Sequence, residues 1–280
     1  MNAADQSPLV STGWLAEHLD DPSVRVVDCR WYLKPFDSRD GLDEYTAGHI
    51  PGAAHLSWDR DIADPQRGAL NMLAGPRRYA AAMQHRGIGD DTFVVTYDDH
   101  HVPVAARVWW TLQVYGHRGA AVLDGGITAW RSEGRAIETG APPQHAVGAA
   151  SFTPRFQPGL YATKEEVLQA VRDGSAQLVD ARMDVAYAAA SGHIPGSIRV
   201  TGLGFLGDGE HWLSAEASRV RIERSGAAGA AKTILYCGGG VAATGALLGW
   251  QLAGLADNVS VYDGSWGEWE TDPDTPKEAH

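Results

Sequence analysis

Short, largely apolar runs mark the chain at 24–28, 93–97, 120–123 and 233–236, and helix-like patterns lie at 15–19 and in the longer stretches 77–86, 104–114 and 241–252. The short runs have the length of strands but not the alternation of a half-buried one, so they predict strands covered on both faces. The four helix-like patterns predict helices. Strands alternating with helices imply an α/β chain with largely parallel sheets and helices on both faces of each. Ligands of such sheets bind at the carboxyl ends of the strands. Asp28, Asp98, Asp180 and Cys237 all stand at those ends, which places the polar residues of each half of the chain on one rim of its sheet.

The pattern occurs twice. Gly48-His49-Ile50-Pro51-Gly52-Ala53 recurs as Gly192-His193-Ile194-Pro195-Gly196-Ser197, and Val26-Val27-Asp28-Cys29-Arg30 recurs as Leu178-Val179-Asp180-Ala181-Arg182. Asp124-Gly125-Gly126-Ile127-Thr128-Ala129-Trp130 returns as Asp263-Gly264-Ser265-Trp266-Gly267-Glu268-Trp269, and the run before Asp98 returns as the run before Cys237. Markers in the same order twice imply two copies of one domain, and 280 residues suffice for two ordinary cores. The predicted division is 1–140 for the first copy, a linker at 141–158 where Ala, Gly, Pro and Gln crowd together, and 159–280 for the second.

The copies differ at the strand end where the first has Asp98 and the second Cys237. There the sequence runs Tyr236-Cys237-Gly238-Gly239-Gly240-Val241-Ala242-Ala243-Thr244, a strand, three glycines and the start of a helix. Glycines let backbone N–H groups approach a ligand closely, and a helix N-terminus adds partial positive charge. A cysteine placed there is expected to ionise readily and to react as a thiolate. The alternative is a buried structural cysteine beside a turn. Cys29, the other cysteine of the chain, has Ala181 as its counterpart, which points to packing; two well-separated cysteines point to free thiols rather than a disulfide.

Charge and composition narrow the partners. With 23 basic against 35 acidic residues, a net of -12, nucleic acid is not expected as a partner. No apolar run is long enough to span a bilayer, and the polar start at 1–6 lacks the features of a signal peptide, so no membrane partner and a cytoplasmic location are expected. The histidines lack metal-ligand spacing: His100 and His101 are adjacent, His49 and His193 lie in the repeated turns, and no second cysteine is near Cys237. Neither metal nor organic cofactor is expected.

In the combination of paired Asp-x-Arg strand ends, paired Gly-His-Ile-Pro-Gly turns, a cysteine loop in the second copy only and a closing Asp-Gly-Ser-Trp, the chain resembles a tandem-domain rhodanese of the thiosulfate and 3-mercaptopyruvate sulfurtransferase family, from about residue 10 to about residue 269. The resemblance implies two rhodanese-like domains, the first inactive and lending one wall of the site, the second catalytic through a persulfide on Cys237. It implies substrate contacts from the loop residues Gly238, Gly239, Gly240, Val241 and Ala242, an aromatic wall at Trp31, and an anion-holding arginine at Arg182. The rival reading of Arg182 is an ion pair with Asp180.

The resemblance also bears on the donor. Thiosulfate-preferring members typically place Arg and Lys after the cysteine, and mercaptopyruvate-preferring members Gly then Ser. Gly238 and Gly239 tilt the expectation to 3-mercaptopyruvate over thiosulfate, with cyanide or a thiol as acceptor and a monomer or weak oligomer as the enzyme. Two departures stand against the tilt: Gly239 lacks the serine hydroxyl, and the usual second arginine is missing. Asp180 to Gly192 spans 12 positions where Asp28 to Gly48 spans 20, so a replacement has to come from elsewhere, such as Arg199 or a residue of the first copy. A phosphatase of the Cys-x5-Arg type is disfavoured because Ala243 stands where its arginine is required; a non-catalytic rhodanese-like binding or regulatory module remains the other reading.

Overall fold

The computed structural model describes residues 7–34, 36–100, 102–142, 150–207 and 211–280, with backbone only at 68–70. The polar start at 1–6, the middle of the expected linker at 143–149 and His101 lie outside the described residues. The chain divides into two compact units, one of Met1–Pro65, Leu73–Phe156 and Asp208–Trp212, the other of Gln66–Met72, Gln157–Gly207 and Leu213–His280.

The first unit holds strands β1 (Leu9–Val10), β2 (Val24–Asp28), β3 (Ala54–His55), β4 (Phe93–Tyr97) and β5 (Ala120–Leu123). Its helices are α1 (Thr12–His18), α2 (Gly41–Ala47), α3 (Trp58–Asp61), α4 (Pro76–His85), α5 (Val104–Val114) and α6 (Gly126–Ser132). The second unit repeats the plan with β6 (Tyr161–Ala162), β7 (Gln177–Asp180), β8 (Ile198–Arg199), β9 (Thr233–Tyr236) and β10 (Val259–Tyr262). Its helices are α7 (Lys164–Asp173), α8 (Asp184–Ala189), α9 (Ala215–Ser225), α10 (Ala242–Leu252) and α11 (Ser265–Thr271).

Each unit has one five-stranded sheet, in the orders β1-β5-β4-β2-β3 and β6-β10-β9-β7-β8, and every strand pair is parallel. Parallel strands need crossover connections, which the helices supply. The central strands are buried along their length except for half-buried Phe93 at the start of β4, as the unalternating apolar runs require. In each sheet the chain steps outward from β2 to β3, or from β7 to β8, and then jumps back past its starting strand, so the strand order reverses between β2 and β4 and between β7 and β9. Crevices open at the carboxyl ends of such reversal points. Cys237 follows β9 directly, at the reversal of the second sheet.

The repeated Gly-His-Ile-Pro-Gly turns clasp the segment that follows the last helix of each copy. His49 and Glu138 exchange backbone hydrogen bonds of 2.9 Å in both directions, and His193 and Glu278 do the same at 2.8 and 3.0 Å. Trp130 and Trp269 complete the clasp by donating Nε1–H to Ala136 and Pro276 carbonyls at 2.8 and 2.7 Å. These segments escape a strand pattern because each contributes a single bridge rather than a ladder.

Candidate active site

Cys237 leaves β9 with 3 % of its surface exposed. Its Sγ accepts the Gly240 N–H at 3.1 Å, which closes the loop on the sulfur. Gly240 has φ +80°, a left-handed conformation that favours glycine. Gly238 and Gly239 are different: a Cβ on either meets nothing within 4 Å, and neither has positive φ. The backbone of the loop is gripped from α11, where Trp266 N–H donates to the Cys237 carbonyl and Gly267 N–H to that of Gly238, both at 2.9 Å. The Cys237 N–H goes to Ser265 Oγ at 3.1 Å.

Helix α10 starts at Ala242, is buried over most of its length, and has Val241 as its N-cap residue. The N–H groups of Ala242 and Ala243, in its first turn, have no intrahelical carbonyl to bond and carry the positive end of the helix dipole. Cys237, Gly238, Gly239, Gly240, Val241 and Ala242 thus form one turn between β9 and α10, in which the Gly240 N–H meets the sulfur.

The first copy fills the matching place with its own anion. Asp98 is 1 % exposed, and its carboxylate accepts the His100 N–H at 3.0 Å and the Ala105 N–H at 2.8 Å. Burial pushes its pKa up, against those two bonds and the nearby His100. Cys29 is wholly buried, donates weakly to the Val27 carbonyl at 3.5 Å, and has its thiol pushed well up by burial and by the carboxylates of Asp28 and Asp98. A thiol held in the protonated form is a poor nucleophile.

Arg182 makes the ion pair with Asp180 that was its rival reading, while its Nη1 is buried without a hydrogen-bond partner. It is 2 % exposed, its Nε and Nη2 fork the Asp180 carboxylate at 2.5 to 3.0 Å, and Nη2 also donates to the Gly192 carbonyl at 3.0 Å. The rings of Tyr187 and Trp266 cover its guanidinium at 4.8 and 4.9 Å. Arg30 makes the same fork with Asp28 and the same bond to Gly48 in the copy without the cysteine. An arrangement present in both copies serves the turn it holds. The physical reason is burial: a guanidinium so enclosed needs a fixed carboxylate beside it.

Arg199 keeps solvent access. It ends β8, its side chain is 34 % exposed, it pairs with the largely exposed Asp184, and it lies 4.4 Å over the Tyr187 ring. Register puts Arg199 opposite Asp180 and Asp180 opposite Tyr236, so Arg199 is two strands from the residue before Cys237, roughly 10 Å at ordinary strand spacing.

Trp31 lies in the first unit, where its Nε1–H donates to Asp59 at 2.8 Å and its ring meets Trp58 edge-on at 5.5 Å. It lines a cavity of about 250 Å³ there with Tyr32, Arg39 and Arg60. Sequence reasoning missed Ser265. Its signal was the difference between Asp-Gly-Gly in the first copy and Asp-Gly-Ser in the second, at the same place where Asp98 gives way to Cys237.

Both copies match the model of the rhodanese-like domain, at residues 11–133 and 163–272. The chain is 32% identical over 279 residues to the 3-mercaptopyruvate sulfurtransferase of Escherichia coli, covering 96% of this chain and 97% of that one. It is 35% identical over 281 residues to the thiosulfate sulfurtransferase of Bos taurus, covering 93% and 91%. The crystal structure of SseA from Escherichia coli, a 3-mercaptopyruvate sulfotransferase, superposes with a TM-score of 0.84 at 31% identity, over 93% of this chain and 99% of that one.

Proposed function

The chain belongs to the rhodanese family, with two rhodanese-like domains in tandem, and from that premise we propose that this sulfurtransferase carries the transferred sulfur as a persulfide on Cys237. The observation that carries the reading is the Gly240 N–H aimed at Cys237 Sγ at 3.1 Å, at the base of a turn that opens into α10.

The Cys237 thiolate attacks the transferable sulfur of the donor. A bond forms between the two sulfurs, and the bond from that sulfur to the rest of the donor breaks with its electron pair. From 3-mercaptopyruvate the leaving group is the pyruvate enolate, which takes a proton to become pyruvate; from thiosulfate it is sulfite. An acceptor such as cyanide or a thiol then attacks the outer sulfur and returns Cys237 as thiolate, cyanide leaving as thiocyanate. Each step develops negative charge at the same spot, where fixed N–H groups stabilise thiolate, persulfide and departing anion without reorganising.

For the donor, 3-mercaptopyruvate is favoured. The loop places no basic side chain beside the sulfur for a sulfonate, and Arg199 is the cation whose partner, the exposed Asp184, a donor carboxylate could replace. Thiosulfate is the second reading, supported by the thiosulfate sulfurtransferase relatives. The first copy acts as a non-catalytic domain, because Asp98 occupies its own turn.

Incubation with donor followed by intact mass measurement tests the mechanism. One added sulfur on the wild-type protein and none on Cys237→Ser is the expected result; turnover by folded Cys237→Ser would overturn it.

A further inference from the structure

Two residues at equivalent places in the two copies share an uncommon backbone and differ in side chain. Gly126 opens α6 with φ +54°, and Ser265 opens α11 with φ +53°. At Gly126 a Cβ would stand 2.3 Å from the Asp98 carbonyl oxygen, so glycine is required there. Ser265 adopts the same region with a side chain, fully buried, where left-handed backbone is costly for any residue but glycine. Such a conformation persists where surrounding bonds over-determine it. Here the Ser265 hydroxyl accepts the Cys237 N–H at 3.1 Å and donates to the Tyr262 carbonyl at 2.8 Å.

One backbone bond from this helix to the loop is common to both copies. Ile127 N–H donates to the Asp98 carbonyl at 3.0 Å, as Trp266 N–H donates to that of Cys237 at 2.9 Å. The hydroxyl belongs to the cysteine-bearing copy, since Gly126 has none. It ties the peptide N–H of Cys237 to the end of β10, while α11 holds the carbonyls of Cys237 and Gly238. With the peptide groups on both sides of the Cys237 Cα fixed, the sulfur stays where the Gly240 N–H meets it.

We propose that Ser265 is a positioning residue for Cys237, its hydroxyl fixing the cysteine's backbone so that the sulfur sits at the focus of the loop. The proposal rests on Cys237 being the nucleophile. Nothing in it requires Ser265 to touch the donor; its effect is on the rate of reaction at sulfur rather than on binding.

Two variants separate hydroxyl from backbone. Ser265→Gly removes the hydroxyl and relieves the positive φ, and Gly126 shows that glycine suits this place. Ser265→Ala removes the hydroxyl and keeps the strain. Both are expected to lower kcat about tenfold with KM within about twofold, the loss of one hydrogen bond that orients the reacting group. Both are also expected to slow iodoacetamide alkylation of Cys237, read without donor, by about tenfold. Wild-type kcat and alkylation in Ser265→Gly would overturn the proposal, as would a defect confined to Ser265→Ala or a fall in melting temperature with both rates intact. Sulfur uptake by the wild-type protein is weighed alongside: its absence sinks the persulfide reading, whereas normal uptake with normal rates in Ser265→Gly sinks only the role of Ser265.

Discussion

The phenol of Tyr236 donates to the Asp180 carboxylate at 2.9 Å, one residue before the cysteine. Burial pushes that phenol well above its usual range, so it remains a donor, and the same oxygen accepts the Ile194 N–H at 3.2 Å. Tyr97, Asp28 and Ile50 repeat the arrangement at 2.7 and 3.2 Å. Asp-x-Arg, the tyrosine and the Gly-His-Ile-Pro-Gly turn are thus one lock, present in both copies, that fixes the strand ends from which the loops spring. Arg30→Ala and Arg182→Ala should each cost about 3 to 5 kcal/mol, because each leaves a buried carboxylate without its partner. Urea unfolding checks this. Full stability in Arg182→Ala with a raised KM would return Arg182 to the donor.

The fold was legible because the central strands are continuous apolar runs: the runs at 24–28, 93–97, 120–123 and 233–236 are the strands observed, and the helix at 104–114 has the expected ends. The edge strands β3 and β8, two residues each, are too short to carry a periodic signal. The cysteine loop was legible from its glycines. The burial of Arg182 was not, since an arginine after a strand-end aspartate reads equally as ligand holder or as lock until the Gly192 carbonyl and the covering rings are seen. Ser265 was hidden because its role lies in a left-handed φ and a bond to a backbone group 28 residues away.

Reactivity should separate the two cysteines. Iodoacetamide added to the native protein is expected to modify Cys237 and leave Cys29 untouched, given the raised thiol and complete burial of the latter. Cys29→Ala should keep near-wild-type turnover, since Ala181 already fills the matching place. Peptide mapping of the alkylated protein reads the first outcome and a cyanide-acceptor assay the second.

The glycines of the loop should differ in tolerance. Gly240→Ala must hold φ +80° and is expected to cost about 1 to 2 kcal/mol and to lower kcat by disturbing the N–H that meets the sulfur. Gly238→Ala and Gly239→Ala have open space and ordinary φ, and should fold with stability within about 0.5 kcal/mol of wild type. Thermal unfolding of the three variants, with turnover beside it, distinguishes them; equal penalties would mean that the left-handed turn at Gly240 is not what shapes the loop.

Arg199 should matter to a carboxylate donor. Arg199→Ala is expected to lose about 2 kcal/mol in kcat/KM for 3-mercaptopyruvate, roughly thirtyfold, as for a charge-assisted bond removed from a site. Arg199→Lys should recover part of it, being a point charge without the fork. Asp184→Ala, which frees the guanidinium, should leave kcat/KM unchanged or raise it. If alanine at 199 changes nothing, the donor is held by the loop alone.

Donor choice follows from what stands beside the sulfur. Gly238 is exposed and Gly239 half-buried, and neither offers a charge to a compact dianion such as thiosulfate. A dianion brought against backbone N–H groups alone loses more hydration than a monocarboxylate does, so the wild-type protein is expected to have the higher kcat/KM for 3-mercaptopyruvate. Adding charge should reverse part of that difference. Both positions accept side chains without collision, since a Cβ there meets nothing within 4 Å. Gly238→Arg combined with Gly239→Lys should therefore fold and raise kcat/KM for thiosulfate by about tenfold or more, with a smaller change for 3-mercaptopyruvate. The gain should shrink as ionic strength rises, because the added cations are solvent-facing. Assays of both donors against cyanide, in wild type and double variant at two salt concentrations, decide it. A wild-type preference for thiosulfate would overturn the donor assignment and leave the persulfide on Cys237 untouched.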